Sequence, residues 1–232
     1  LKGVECKVVM PMSSARVKIN AVRSHGAEVV FVDTTVQTRA SMVKEVSKQY
    51  PNYYVASAYD CEHVINGNAT LGHEIMELDW TPDQIVVPIG GGGLISGIAT
   101  ALEKHNSLIP LFGAEPASAD DAYRSLHSGQ LRENTLDPMT LADGARTRSL
   151  GRRNWKVVQR RVTDIFRVSE RQITEAMQLF HQHGVKVEPT GALTLGALLK
   201  NTELTGTVVA VISGANVDPD LYEQIISGEV HS

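Results

Sequence analysis

The 232-residue sequence is poor in cysteine: Cys6 and Cys61 are its only two, in no CxxC pair and at no metal-ligand spacing. Two free thiols in a cytoplasmic protein are the expected state. A net charge of −4 leaves no electrostatic footprint for nucleic acid or an anionic membrane surface. No apolar run approaches the roughly 20 residues of a spanning helix, and no basic-then-apolar signal segment opens the chain. Internal repeats and low-complexity segments are absent.

What remains is the composition of an ordinary globular protein, 42% hydrophobic and 21% charged. Short apolar runs alternate with helical patterns. CKVVM (6–10), EVVFVD (28–33), YYVAS (53–57), QIVVPI (84–89), IPLFGAE (109–115), DIFRV (164–168) and TVVAVIS (207–213) read as strands. Helices are expected from Ala15 to His25, up to about Tyr50, around Gly72 to Leu78, over LISGIATALEKH, from about Ala119, through His183, and from Pro189 to Leu199. Strands apolar along their whole length and separated by helices predict an α/β fold, with parallel twisted sheets covered by helices on both faces. The polar stretch YDCEHVINGN (59–68) reads as a crossover. It divides the chain into residues 1–58, a small α/β domain, and 59–232, a larger one.

Between the run ending at Ile89 and the next helix stand four glycines, Gly90 to Gly93. Consecutive glycines are destabilising unless something needs the backbone bare. At a strand-to-helix junction their N–H groups can turn inward as an anion nest, with the positive end of the following helix facing the same point. A tight turn without a ligand would need fewer glycines. A dinucleotide site would use Glu115, about 20 residues on, as its ribose-binding acid. However, the GxGxxG spacing fails in every register, and no Walker lysine follows. A single phosphate monoester gripped by successive amides fits best. Ser213 follows the last apolar run, so it too would stand at the carboxyl end of a strand, where parallel sheets bind ligands. Its commoner use would be as a helix cap before Asp218.

PIGGGG, AEPASADD (114–121), LADG (141–144), EPTGA (188–192) and SGANVD (213–218) occur in the order and spacing of the fold-type-II pyridoxal phosphate enzymes. The sequence most resembles their serine/threonine dehydratase and serine racemase branch, over essentially its whole length. The resemblance implies that Gly90, Gly91, Gly92, Gly93 and Leu94 bind the cofactor phosphate and that Ser213 bonds the pyridine nitrogen. It also implies that Glu115, the Ala119 carbonyl and Asp121 hold a divalent cation, namely magnesium, calcium or manganese. The implied reaction is β-elimination on a small β-hydroxy amino acid such as L-serine or L-threonine, giving a 2-keto acid and ammonia. A cytoplasmic homodimer with no nucleic-acid or membrane partner is the matching expectation.

Two family motifs have no counterpart here: the Ser-x-Lys-x-Arg-Gly segment with its Schiff-base lysine, and the Ser-Gly-Asn-His loop. Lys2, Lys7, Lys18, Lys44, Lys48, Lys104, Lys156, Lys186 and Lys200 lie in other contexts. Leu1-Lys2-Gly3-Val4 reads as a helix end with its glycine stop. The chain is therefore expected to be the C-terminal portion of such an enzyme, with no catalytic residue of its own and no activity alone. The family's Gly-Gln-Gly-Thr reads Gly67-Asn68-Ala69-Thr70, and its Gly-Gly after the serine reads Gly214-Ala215. Arg39 is expected to be a surface charge. Serine racemisation on the same scaffold, an NAD-binding oxidoreductase domain and a non-catalytic regulatory domain are the alternatives.

Overall fold

Two sheets organise the chain, each wholly parallel. The computed structural model describes residues 3–135, 138–200 and 204–230, so the helix end read at Leu1-Lys2 lies outside the described residues. The chain divides into two compact units. The first runs up to Ala56 and includes Asn216–Leu221; the second runs from Ser57 to Ala215 and resumes at Tyr222.

In the first unit, β1 (Lys7–Pro11), α1 (Arg16–Ser24), β2 (Glu28–Val32) and α2 (Arg39–Gln49) follow in order, and β1 pairs with β2. Gly26, at φ +79°, turns the chain between α1 and β2. YYVAS forms no strand: Tyr54 and Val55 are exposed, and the segment joins neither sheet. β propensity reflects a fit to a half-buried ladder, and without a pairing partner it specifies nothing.

The second unit carries α3 (Glu62–Met76), β3 (Gln84–Pro88), α4 (Gly93–Lys104), β4 (Leu111–Pro116), α5 (Asp121–Ser128), α6 (Arg152–Arg161), β5 (Asp164–Val168), α7 (Glu170–Gln182), α8 (Pro189–Leu198), β6 (Val208–Ala210) and α9 (Pro219–Ile226), the last entering from the first unit. The strand order is β5-β4-β3-β6. From β3 the chain steps through β4 to β5 and then returns to lay β6 on the other side of β3. Parallel crossovers are right-handed, so reversing direction moves the connecting helices to the opposite face. α4 accordingly packs on β3 and is itself packed against by α3 and α6, while α8 spans β3, β4 and β5. Ile85, Val87, Ile98, Leu102, Leu111 and Ile165 lie in the resulting core.

Three expectations are corrected in this unit. α3 begins at Glu62, inside the stretch read as a crossover. Asn66, Gly67 and Asn68 are poor helix formers, but Asn68, with Gly72 further along, serves a close helix contact. A Cβ on Gly97 of α4 would sit 2.5 Å from the Asn68 Cβ, and one on Gly72 would sit 2.6 Å from the Ala101 Cβ. The last strand is three residues long and stops at Ala210, short of Ser213. α6 was not anticipated, although Trp155, Val158 and Val162 carry a helical spacing into the core cluster.

Candidate functional site

The reversal between β3 and β6 creates a topological switch point, and ligands of open α/β sheets bind outside the carboxyl ends of the strands there. Val86 is level with Ala210 in the β3–β6 register. Continuing past both strand ends, the glycine run leaves β3 and Ser213 follows β6 on the same side of the sheet.

Four of the five motifs meet around the glycines. A Cβ on Gly90 would lie 2.9 Å from the Gly144 carbonyl oxygen of LADG. The Gly144 N–H donates to Thr190 Oγ1 of EPTGA at 3.0 Å. A Cβ on Gly191 would lie 2.7 Å from the Gly214 carbonyl oxygen of SGANVD, which accepts from the Glu188 N–H at 3.1 Å. Protein therefore fills the space where side chains would stand. For Gly91 the occupant is the Tyr59 ring, 2.2 Å from an ideal Cβ. For Gly93 it is the Tyr59 carbonyl oxygen at 3.0 Å. Gly92 sits at φ +87°, in the left-handed region that only glycine enters freely, with Leu150 and Asn154 behind it. A Cβ at any of these glycines would strike these residues or strain the backbone.

On the donor side the picture is reversed. The N–H groups of Gly90, Gly91, Gly92, Gly93, Leu94 and Ile95 find no acceptor among the described residues. The last three are orphans of the first helical turn, at the positive end of α4. Gly91 to Gly93 are buried, and buried amides are rarely left unpaired. A bare cradle with consecutive free donors fits a phosphate group. Ser213 is exposed, makes no hydrogen bond to a described residue, and stands six positions before Pro219, so it does not cap α9.

Glu115 and Asp121 also come together. Both are buried, at 1% and 2% exposure. Glu115 closes β4 and accepts from the N–H groups of Tyr123 (2.6 Å) and Ala122 (3.2 Å) in the first turn of α5. Asp121 Oδ1 accepts from Asn134 Nδ2 at 2.8 Å, while its Oδ2 is buried without a partner among the described residues. Burial, then the neighbouring Asp121 charge, drives the Glu115 carboxyl well above its ordinary range. Burial likewise pushes Asp121 to about 7. Arg124 offsets this burial only in part and from a distance, since its direct contact is with Asp120 at 2.7 Å, and Arg167 reaches the same residue at 3.6 Å. Two desolvated carboxylates with an oxygen to spare fit a hard cation. Among the described residues, however, no group of three or more His, Cys, Asp or Glu could hold one, so main-chain oxygen and water would have to complete the shell. Glu115 thus caps the first turn of α5 from the end of β4, where Asp120 makes no side-chain cap bond.

Of the lysines, Lys104 ends α4, at the far end of that helix from the glycines, and Lys186 lies over the Tyr222 ring. Arg39 is exposed at the start of α2. Both cysteines are free, and no helix among the described residues is long and apolar enough to cross a membrane.

Comparison with known proteins gives the family of the chain. Residues 1–214 match the family described as pyridoxal-phosphate dependent enzymes, and the chain belongs to that family. L-threo-3-hydroxyaspartate ammonia-lyase from Saccharomyces cerevisiae is 35% identical over 233 residues, covering 99% of this chain and 71% of the relative. Serine racemase from Dictyostelium discoideum is also 35% identical, covering 98% of this chain and 71% of the relative. The crystal structure of a threonine deaminase from T.th. superposes with a TM-score of 0.86 at 37% identity, over 93% of this chain and 71% of that one. Family membership decides against the NAD-binding alternative.

Proposed function

We propose that the chain holds pyridoxal phosphate in the nest from Gly90 to Leu94 and serves an enzyme that eliminates the β-hydroxyl of a small amino acid such as L-serine or L-threonine. The products are a 2-keto acid and ammonia. The observation that carries this reading is the run of unpartnered amides from Gly90 to Ile95, at the switch point of a parallel sheet. Bound there, pyridoxal phosphate would supply the electron sink for the α-carbon of the amino acid. The residues of the chain bind and orient. The nest fixes the phosphate against the α4 N-terminus. Ser213 offers a neutral hydroxyl to the ring nitrogen. Unlike a carboxylate, it does not hold that nitrogen protonated, which suits prompt loss of a β-substituent over transamination. Glu115, Asp121 and the Ala119 carbonyl take a divalent cation, with magnesium, calcium and manganese suited to an all-oxygen set. A homodimer and a cytoplasmic location belong to the same reading.

The relatives lend support through their names, which describe an ammonia-lyase, a deaminase and a racemase. Serine racemisation is the second reading, and the racemase relative favours it.

Titrating pyridoxal phosphate into the protein tests the site. Saturable uptake is expected, and it should be weakened in Gly91→Val, whose side chain displaces the Tyr59 ring and the loop; unchanged affinity in that variant would overturn the assignment. Borohydride should fix no cofactor on a single lysine of the 232-residue chain. In the catalytically competent protein, keto acid and ammonia should appear from L-serine or L-threonine. D-serine without keto acid would move the reading to racemisation.

A further inference from the structure

Behind the glycine run lies a second layer of polar contacts that none of the five motifs contains. Asn154, in the first turn of α6, is fully buried. Its Nδ2 donates to the Gly91 carbonyl oxygen at 2.7 Å and to the Tyr59 carbonyl oxygen at 2.9 Å. The Gly91 oxygen accepts a second bond from the Gly151 N–H at 3.0 Å. Asp60 ties the same corner from the other side: its Oδ1 accepts from the N–H groups of Arg153 (2.9 Å) and Asn154 (3.2 Å). An ideal Cβ on Gly151 would lie 2.3 Å from Asp60, so that glycine lets the two segments close.

The geometry points to Asn154 as a positioning residue for the phosphate nest, an inference that rests on the proposed cofactor site. The peptide between Gly91 and Gly92 is planar and trans, so its C=O and N–H point in opposite directions. Two donors hold the Gly91 oxygen toward α6. The Gly92 N–H is thereby turned away from α6, onto the side where the run of amides has no protein acceptor. Gly92 is also the residue at positive φ, where the backbone has the most freedom to be set otherwise. The tie to Tyr59 fixes the next contact, because the Tyr59 ring lies over Gly91 and its carbonyl oxygen lies behind Gly93.

A further feature separates positioning from simple core stability. Asn154 Oδ1 is buried with no partner among the described residues. A buried, unpaired acceptor is destabilising, and an apolar side chain of similar shape would remove that penalty. The amide is retained at a site where only its two donors are used, and both are spent on the backbone around the nest.

The test compares pyridoxal phosphate with pyridoxal, which lacks the phosphate. Wild-type protein should bind the phosphorylated form far more tightly; equal affinity for the two would overturn the nest reading itself. With that preference established, Asn154→Leu should weaken pyridoxal phosphate binding about tenfold or more and leave pyridoxal affinity nearly unchanged, while the melting temperature of the cofactor-free protein falls because the Tyr59 carbonyl loses this donor. Asn154→Ser, which keeps one donor, should fall between, and it carries the test if the leucine variant does not fold. Unchanged preference for the phosphorylated form would overturn the inference. So would an equal loss for both ligands, the mark of a purely structural amide.

Discussion

In the unit that begins at Ser57, β3 is buried from Ile85 to Pro88, and α4 and α8 each bury eight residues. Among the described residues up to Ala56, only Met10 and Val32 are buried apolar side chains, and α1 and α2 bury none. Both regions have the same grammar of parallel strands joined by helices, yet one encloses a core and the other presents half-covered surfaces. The glycine nest, Ser213, the carboxylate pair and Asn154 all belong to the first kind of region. A phosphate cradle needs amides held to within a fraction of an ångström, which requires side chains locked by packing. Stability within a structure is uneven, and elements with few buried apolar contacts open at lower free energy. The global unfolding transition should therefore report the unit with the nest, and the region up to Ala56 should contribute little to it.

Matched truncations give the sharpest form of this contrast. Ile98, fully buried in α4, should cost about 2–5 kcal/mol when replaced by alanine, through lost transfer energy and the cavity left behind. Val30, half-buried in β2, should cost less than about 1 kcal/mol as Val30→Ala, because little area is removed from contact. Urea unfolding of both variants measures this directly. Equal losses would mean that the two regions share one core and that the comparison is wrong.

The dense unit also has a place where burial works against it. Asp121 titrates near 3.8 when unfolded and at about 7 when folded. Between those values the folded state binds more protons than the unfolded state, so stability falls as pH rises. Glu115 shifts in the same direction. In EDTA, melting temperature should therefore decline from about pH 4 through about pH 7, and Asp121→Asn should flatten the decline. If the pair holds a cation, magnesium should restore stability at and above about pH 7 in the wild type and do nothing for the variant. Identical responses to magnesium and EDTA in both proteins would remove the cation from the proposed function.

How far the sequence could be read follows the same division. Strands that are apolar throughout announced the parallel sheet around Ile85 and Leu111, because burial on both faces leaves no alternation to confuse them. YYVAS has the residues of a strand but no partner, and pairing is not written in a single segment. Gly90 to Gly93 were legible as a strand-to-helix turn that has to be bare, because four consecutive glycines have few other uses. That Tyr59, Gly144 and Asn154 would fill the space behind them was not, since those contacts join segments far apart in the chain. The start of α3 was hidden because Gly67 is a poor helix former and Asn68 answers to a neighbouring helix rather than to local propensity. For α6 the signal was present in Trp155, Val158 and Val162, and finding it would have brought Asn154 into view.

The smallest expected effect concerns helix caps, where each unit supplies one of the same kind. In α7, Ser169 Oγ accepts from the Gln172 N–H at 3.3 Å, and Gln172 Oε1 accepts from the Ser169 N–H at 2.9 Å, a reciprocal capping box. In α2, Thr38 Oγ1 accepts from the Ser41 N–H at 3.1 Å. Loss of a cap hydroxyl leaves a first-turn amide unsatisfied and costs about 1 kcal/mol when the helix is part of the cooperative structure. α7 buries Ile173, Thr174, Ala176 and Met177, so Ser169→Ala should shift the global denaturation midpoint by that amount. α2 buries nothing, and its opening is a local event, so Thr38→Ala should leave the midpoint nearly unmoved. Its effect should appear instead as faster amide hydrogen exchange at Ser41 and Met42, measured under native conditions. A shift in the midpoint as large as that of Ser169→Ala would show that α2 is as firmly held as α7, despite the difference in what the two helices bury.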